Sequence, residues 1–114
     1  MYLYLSAVLL TLAAAVGFNP LWHLVKKIPA KMKFVWIHGG LAILGVTFFI
    51  IHATTSPDPT PWLAFLLTIV TAMGGIALFA LRRMKAPIPA GIALIHPLAG
   101  AVAVVLLIQA LFSK

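Results

Sequence analysis

The chain has 114 residues, of which 64% are hydrophobic and only 8% are charged, far below the roughly 25% charged content of an ordinary soluble domain. The net charge of +7 comes almost entirely from two basic segments, a distribution that disfavours nucleic acid as a partner. Because cysteine is absent, disulfides, thiolate-ligated iron–sulfur clusters and covalently attached c-type haem are excluded.

Four apolar segments, each close to the ~20 residues that cross a bilayer, follow one another at about 2–18, 34–53, 61–81 and 89–112. Turn-forming residues separate them at Asn19-Pro20, Ser56–Pro59 and Ala86–Pro89. The first segment lacks the basic start and the small-residue cleavage site of a signal peptide, so we expect a helix that is retained. No convincing internal repeat stands out. The prediction is an all-α integral membrane protein, one up-down-up-down four-helix bundle over residues 1–114.

The loops differ in charge, and this difference predicts the orientation. The first loop carries Lys26, Lys27, Lys31 and Lys33, the third carries Arg82, Arg83 and Lys85, and the second carries Asp58, the only acidic residue. By the positive-inside rule the basic loops face the cytoplasm and both termini face outward. We expect a lipid-embedded protein of a bacterial inner membrane.

Histidines are the only ionisable residues inside the four segments, at His38, His52 and His96. The absence of Asp, Glu, Lys and Arg there disfavours a proton-coupled transporter. Ionisable groups are costly in a membrane, so each histidine is a candidate ligand of a metal or cofactor. The alternative is that each imidazole only hydrogen-bonds to a backbone carbonyl or to a hydroxyl such as that of Thr47. We expect His23 to be a plain interfacial residue.

His38 and His96 lie roughly 6 and 10 Å into the second and fourth helices, measured from the same membrane face. Two imidazoles from facing helices can supply both axial positions of a haem iron, and bundle cores are where such sites are built. A haem or another cofactor could therefore bridge His38 and His96. A non-haem metal is disfavoured because the carboxylates that usually support metal-ligating histidines are absent.

Nearby residues fit a planar cofactor that carries charged groups at its edge. Gly39, Gly45 and Gly100 would let the helix backbones approach a planar macrocycle, although small residues are equally common in membrane helix packing. Arg82 and Arg83 stand at the same membrane face, where haem propionates would meet cations.

His38 and His52 are separated by thirteen residues on one helix, a rise of about 21 Å, so a single metal cannot bind both. This spacing resembles the dihaem transmembrane b-type cytochromes, including the cytochrome b561-like and ferric-reductase-like proteins. The fourth helix, with His96, Gly100 and Gln109, is similar to one of theirs. The resemblance implies that His38 and His96 hold an inner haem and that His52 holds an outer one.

One position departs from that family pattern. The partner of His52 is expected at Gln109-Ala110, where no histidine stands. The outer haem is therefore absent, five-coordinate, or completed across a homodimer, and the choice between one haem and two stays open.

The predicted function is membrane electron transfer by a haem b protein that exchanges electrons with quinone or with a protein redox partner. Turnover as a quinone-linked oxidoreductase is left open. The alternative, from another class, is a non-catalytic small membrane subunit or assembly factor whose histidines are structural. A small-molecule channel is disfavoured because no helix offers a charged or amphipathic pore face.

Overall fold

The computed structural model describes residues 1–29 and 31–113, and within them it is helical, without a strand. The helices are α1 (Tyr2–Val25), α2 (Met32–Thr55), α3 (Trp62–Arg83) and α4 (Ala90–Phe112). Each has 22 to 24 residues and is long and apolar enough to cross a membrane. The predicted all-α, four-helix architecture of an integral membrane protein is confirmed.

The predicted turn at Asn19-Pro20 is wrong, because α1 continues through both residues to Val25. A proline inside a helix removes the N–H that would donate to the carbonyl four residues earlier, here that of Val16, and its ring crowds that carbonyl. Membrane helices tolerate that loss, since neighbouring groups and small local adjustments can satisfy the freed carbonyl. Pro97 lies inside α4 in the same way.

The chain divides into two compact units, Met1–Thr60 and Pro61–Lys114, which we call hairpin 1 and hairpin 2. In hairpin 1, α1 packs antiparallel on α2, so that Ser6 meets Gly45 near one end. In hairpin 2, α3 packs antiparallel on α4, and Thr71 meets Gly100. Small buried residues bring the helices of each hairpin close, whereas most large apolar side chains point away from the partner helix, as suits a hydrocarbon environment.

Both hairpins turn in the same way after their first helix. Lys27 and Lys85 have left-handed backbones, with φ of 58° and 55°. The Lys27 N–H donates to Leu24 O and the next N–H, of Ile28, donates to His23 O, at 3.1 and 3.0 Å. Lys85 and Ala86 donate to Arg82 O and Leu81 O, at 3.1 and 2.9 Å. This pair of bonds is the Schellman arrangement that satisfies the last carbonyls of a helix.

The burial pattern also repeats between the hairpins, with each residue matched to the one 58 positions later. Three buried positions of the helix contact correspond in pairs: Ser6 with Ala64, Gly45 with Ala103, and Phe49 with Leu107. Position by position, residues 36–49 have the same burial class as residues 94–107. Hairpin 2 is therefore a structural repeat of hairpin 1.

The sequence alone shows no convincing internal repeat, and the reason lies in the substitutions. Many matched positions exchange one apolar residue for another, which leaves no visible pattern in a sequence this hydrophobic. The identical pairs are Leu5/Leu63, Leu9/Leu67, Ala14/Ala72, Gly17/Gly75, Lys27/Lys85, Pro29/Pro87, Ile37/Ile95, His38/His96, Val46/Val104 and Ile50/Ile108.

Candidate functional site

His38 projects from α2 toward the backbone of α1. Its Nδ1 lies 2.7 Å from the carbonyl oxygen of Ala13, and the side chain is half-buried. A carbonyl can only accept a hydrogen bond, so Nδ1 carries the hydrogen and donates it. In the neutral ring the lone pair then lies on Nε2, because the bond made by one ring nitrogen sets the role of the other.

The ring of His38 rests directly on Gly17 of α1. A Cβ at Gly17 would lie 2.7 Å from Cε1 and 2.8 Å from Nδ1 of the imidazole, closer than real Cβ contacts come. Any residue other than glycine would therefore displace the ring. α1 supplies both the carbonyl and the glycine, since Ala13 and Gly17 are one helical turn apart on the same face. We call such a carbonyl and glycine the seat of the histidine.

His96 of α4 repeats the arrangement in hairpin 2. Its Nδ1 lies 2.9 Å from the carbonyl oxygen of Thr71, and a Cβ at Gly75 would lie 3.0 Å from its Cε1. In both hairpins the histidine follows its carbonyl partner by 25 residues. Gly74 adds ordinary van der Waals contact, with a Cβ 3.6 Å from the histidine's own Cβ. The tethered histidine is thus present twice, once in each hairpin.

His52 has a different environment at the other end of α2. Its side chain is only 3% exposed, and its Nε2 lies 3.5 Å from Pro59 O, near the upper limit for a hydrogen bond. The matching position in hairpin 2 is Ala110. His23 bonds within its own helix, from Nδ1 to Asn19 O at 2.8 Å.

The three glycines singled out in the sequence have separate surroundings. No atom of the described chain lies within 4 Å of a Cβ built on Gly39. A Cβ built on Gly45 would lie 2.7 Å from the Leu10 side chain of α1, and the Gly45 carbonyl accepts the Ser6 hydroxyl at 2.8 Å. A Cβ built on Gly100 would lie 3.1 Å from the methyl group of Thr71. Gly45 and Gly100 therefore serve the contact between the helices of their own hairpins.

The basic end of hairpin 1 is partly anchored by aromatic rings. Lys26 Nζ lies 4.9 Å from the Trp22 ring and Lys33 Nζ lies 5.3 Å from the Phe34 ring, both within cation–π distance. Arg82 is half-buried and Arg83 is exposed, both in the last turn of α3. Thr47, considered as a partner for a histidine, instead donates to Ile43 O of its own helix.

Sequence reasoning found the histidines but missed the groups that hold them. These are the carbonyls of Ala13 and Thr71 and the glycines Gly17 and Gly75. One signal was available, because each glycine precedes its histidine by the same interval, in Gly17–His38 and in Gly75–His96. Within residues 1–29 and 31–113, no three His, Cys, Asp or Glu side chains are grouped so that they could hold a metal ion.

Comparison with protein-family models, with curated proteins and with solved structures gave no match to this chain. The resemblance to dihaem b-type cytochromes therefore stays a prediction from short motifs.

Proposed function

We propose that the chain binds haem b through His38 and His96 and transfers electrons in a bacterial inner membrane. The observation that carries the proposal is the seat that both hairpins repeat. In each hairpin the Nδ1 of a histidine donates to a backbone carbonyl of the partner helix. Haem held by these two histidines would supply one-electron chemistry, and the hydrogen bonds at Nδ1 would orient their rings.

The donor set fits such a group. An axial imidazole binds iron with the lone pair of one ring nitrogen while the other N–H is held by a carbonyl or carboxylate, which fixes the ring and raises its basicity. His38 and His96 have this arrangement, with their lone pairs on Nε2. Arg82 and Arg83 remain the proposed partners of the propionates, because they lie at the basic end of hairpin 2.

The surroundings are also suited to electron transfer. The helix interiors hold no Asp or Glu, so the histidines lie among apolar groups that would keep water and protons away from a redox centre. We propose quinone or a protein redox partner as the source or acceptor of electrons. Turnover as a quinone-linked oxidoreductase would need such a partner to bind at a membrane face.

The proposal assigns one haem to each chain. Only one histidine position is repeated between the hairpins, and His52 is matched by Ala110. His52 is moreover packed inside hairpin 1, with 3% of its surface exposed. A second haem at His52, as in the dihaem family, would require that this side chain leave its packed position and find a partner, for instance in a homodimer.

The test is the absorption spectrum of the purified protein in detergent, oxidised and then reduced with dithionite. We expect a sharp b-type α-band on reduction, a pyridine haemochrome, and close to one haem per chain. His38→Ala and His96→Ala should each abolish the same band. His52→Ala is the matched control and should keep it. A colourless protein from haem-replete cells would refute the proposal, and so would a band that survives both substitutions.

The alternative candidate is a non-catalytic membrane subunit with structural histidines. The same two bonds support it, because each joins the two helices of a hairpin and satisfies a ring N–H in the process. In that case wild-type protein would be colourless, and His38→Ala would lower the stability of the protein without changing any visible absorption. Haem-dependent colour separates the two candidates.

A further inference from the structure

We infer that Gly17 and Gly75 are positioning residues, which hold the rings of His38 and His96 so that Nδ1 donates to the α1 or α3 backbone and the lone pair stays on Nε2. The inference deepens the proposed function, and its redox consequence rests on that function. The positioning itself is a property of the protein without haem.

The steric basis is the distance from each glycine to its ring. At Gly17 a methyl group would lie 2.7 and 2.8 Å from two ring atoms, whereas at Gly75 the closest ring atom would be 3.0 Å away and the next 3.7 Å. The first substitution forces the imidazole to move, and the second asks for a shift of a few tenths of an ångström. Hairpin 1 should therefore respond more strongly than hairpin 2.

The internal repeat separates this role from ordinary helix packing. Gly45 packs on Leu10 and is replaced by Ala103 in hairpin 2, while Gly100 packs on Thr71 and is replaced by Ala42 in hairpin 1. Glycines that serve only helix contact thus differ between the two copies. The pair Gly17/Gly75 is the glycine position that both copies keep, and in both copies its neighbour is the histidine ring.

The chemical consequence follows from the Nδ1 bond. When the ring is pushed off its seat, the Nδ1–H loses the carbonyl that polarises it, and the imidazole becomes a weaker donor from Nε2. A less basic imidazole would stabilise ferric iron less than the wild-type ring does, with a smaller loss for ferrous iron, so the reduction potential of a haem held by that ring should rise. The haem would stay bound as long as Nε2 still reaches it.

The experiment compares Gly17→Ala and Gly75→Ala with Gly40→Ala and Gly91→Ala. The two controls add the same methyl group to α2 and α4, at positions where no described atom lies within 4 Å of it. In the purified haem protein, redox titration should show a positive shift of the midpoint potential for Gly17→Ala and a smaller positive shift for Gly75→Ala. The low-spin ferric EPR signal should change with them, and both controls should match wild type.

A second measurement needs no haem. Nitrogen NMR of protein labelled in histidine, made without haem, should show His38 and His96 in the Nδ1–H tautomer. Gly17→Ala should move His38 toward a mixture of tautomers and leave His96 unchanged, and Gly75→Ala should do the reverse. Gly75→Ala is also the milder variant, which keeps the test available if Gly17→Ala does not fold.

The outcomes distinguish the inference from the proposed function. Protein that is colourless when purified from haem-replete cells, and that still shows the tautomer changes, would refute the haem proposal and support the positioning role. Haem protein in which Gly17→Ala and Gly75→Ala behave like Gly40→Ala, in both potential and tautomer, would overturn the positioning role and leave the haem proposal standing.

Discussion

Hairpin 1 and hairpin 2 share a backbone plan but use different side chains where their helices meet. In hairpin 1 the contact is made by Gly45 against Leu10, with a hydroxyl bond from Ser6. In hairpin 2 the matching residues are Ala103, Thr68 and Ala64, all buried. From hairpin 1 to hairpin 2 the residue on the second helix grows from Gly45 to Ala103, while the residue on the first helix shrinks from Leu10 to Thr68.

Among the non-apolar positions, both copies retain the left-handed lysine after the first helix, the glycine under the histidine ring and the histidine itself. The other identical pairs are six apolar helix positions and one proline. Packing in a membrane offers many equivalent solutions, because helix association depends on close contact and not on one set of side chains. A retained lysine, glycine or histidine therefore indicates a constraint of turn geometry or of function.

The largest effect is expected from a test of which side of the membrane the two basic loops face. The repeat provides one matched position in each loop. Ile28 and Ala86 occupy the same place in the two basic loops, so Ile28→Cys and Ala86→Cys should react from the same side of the membrane. The chain has no cysteine of its own, which removes background labelling. In intact cells, a membrane-impermeant thiol reagent should label neither variant until the membrane is opened.

Asp58→Cys, in the loop that joins the hairpins, is the control and should be labelled in intact cells. Labelling of Ile28→Cys and Ala86→Cys from opposite sides would contradict the prediction that both basic loops are cytoplasmic. It would also show that the two copies insert in opposite directions, although they share one hairpin structure.

The next largest effect on stability is expected at Gly45 and Leu10, whose counterparts in hairpin 2 are Ala103 and Thr68. Gly45→Ala places a methyl group 2.7 Å from Leu10 and 3.3 Å from its backbone nitrogen, so overpacking should outweigh the better helix propensity of alanine. Leu10→Thr makes the room that Thr68 makes in hairpin 2. The double variant should therefore lose less unfolding free energy than the two single variants lose together, with a coupling free energy of about 1–2 kcal/mol.

The measurement is a double-mutant cycle of unfolding free energies, from titration with a denaturing detergent followed by tryptophan fluorescence. Gly40→Ala, which meets no described atom, serves as the reference for alanine in a helix. A coupling energy near zero would mean that Leu10 and Gly45 do not constrain each other, and that the matched exchange between the hairpins has no packing basis.

Much of the architecture was predictable, because hydropathy alone marks segments that must be helical in a membrane. The bounds of α2, α3 and α4 fall close to those predicted, since charged or turn-forming residues flank them. α1 was predicted too short, because Asn19-Pro20 has the composition of a turn. In a membrane helix, however, the same pair can be accommodated without ending the helix.

The site was predictable only in part, for a chemical reason. His38 and His96 are visible in the sequence because ionisable residues are rare inside membrane segments. Their seats are not visible, because the acceptors are backbone carbonyls, which every residue has, and the contact residues are glycines, which are common in membrane helices. The repeat that would have revealed Gly17 and Gly75 is hidden by exchanges among apolar residues.

A smaller effect should come from the left-handed lysines. A side chain at positive φ costs roughly 1–2 kcal/mol, which glycine avoids. Lys27→Gly and Lys85→Gly should each raise the unfolding free energy by about 1 kcal/mol, because the φ values of 58° and 55° are so alike. Lys27→Ala removes the same charge but keeps Cβ, so it should show no gain. Opposite responses of Lys27→Gly and Lys85→Gly would break the equivalence of the two turns.

The smallest effect is expected at Ser6, where the hairpins differ by one hydroxyl. Ser6 is fully buried and donates to Gly45 O at 2.8 Å, while its counterpart Ala64 is equally buried and has no hydroxyl to donate. Hydrogen bonds between membrane helices contribute about 0.6 kcal/mol on average, so Ser6→Ala should lower the unfolding free energy by about that much. Ser113→Ala, at the exposed end of α4, should leave it unchanged. A loss well above about 1.7 kcal/mol, the upper end of such bonds, would mean that hairpin 1 depends on its hydroxyl in a way that hairpin 2 does not.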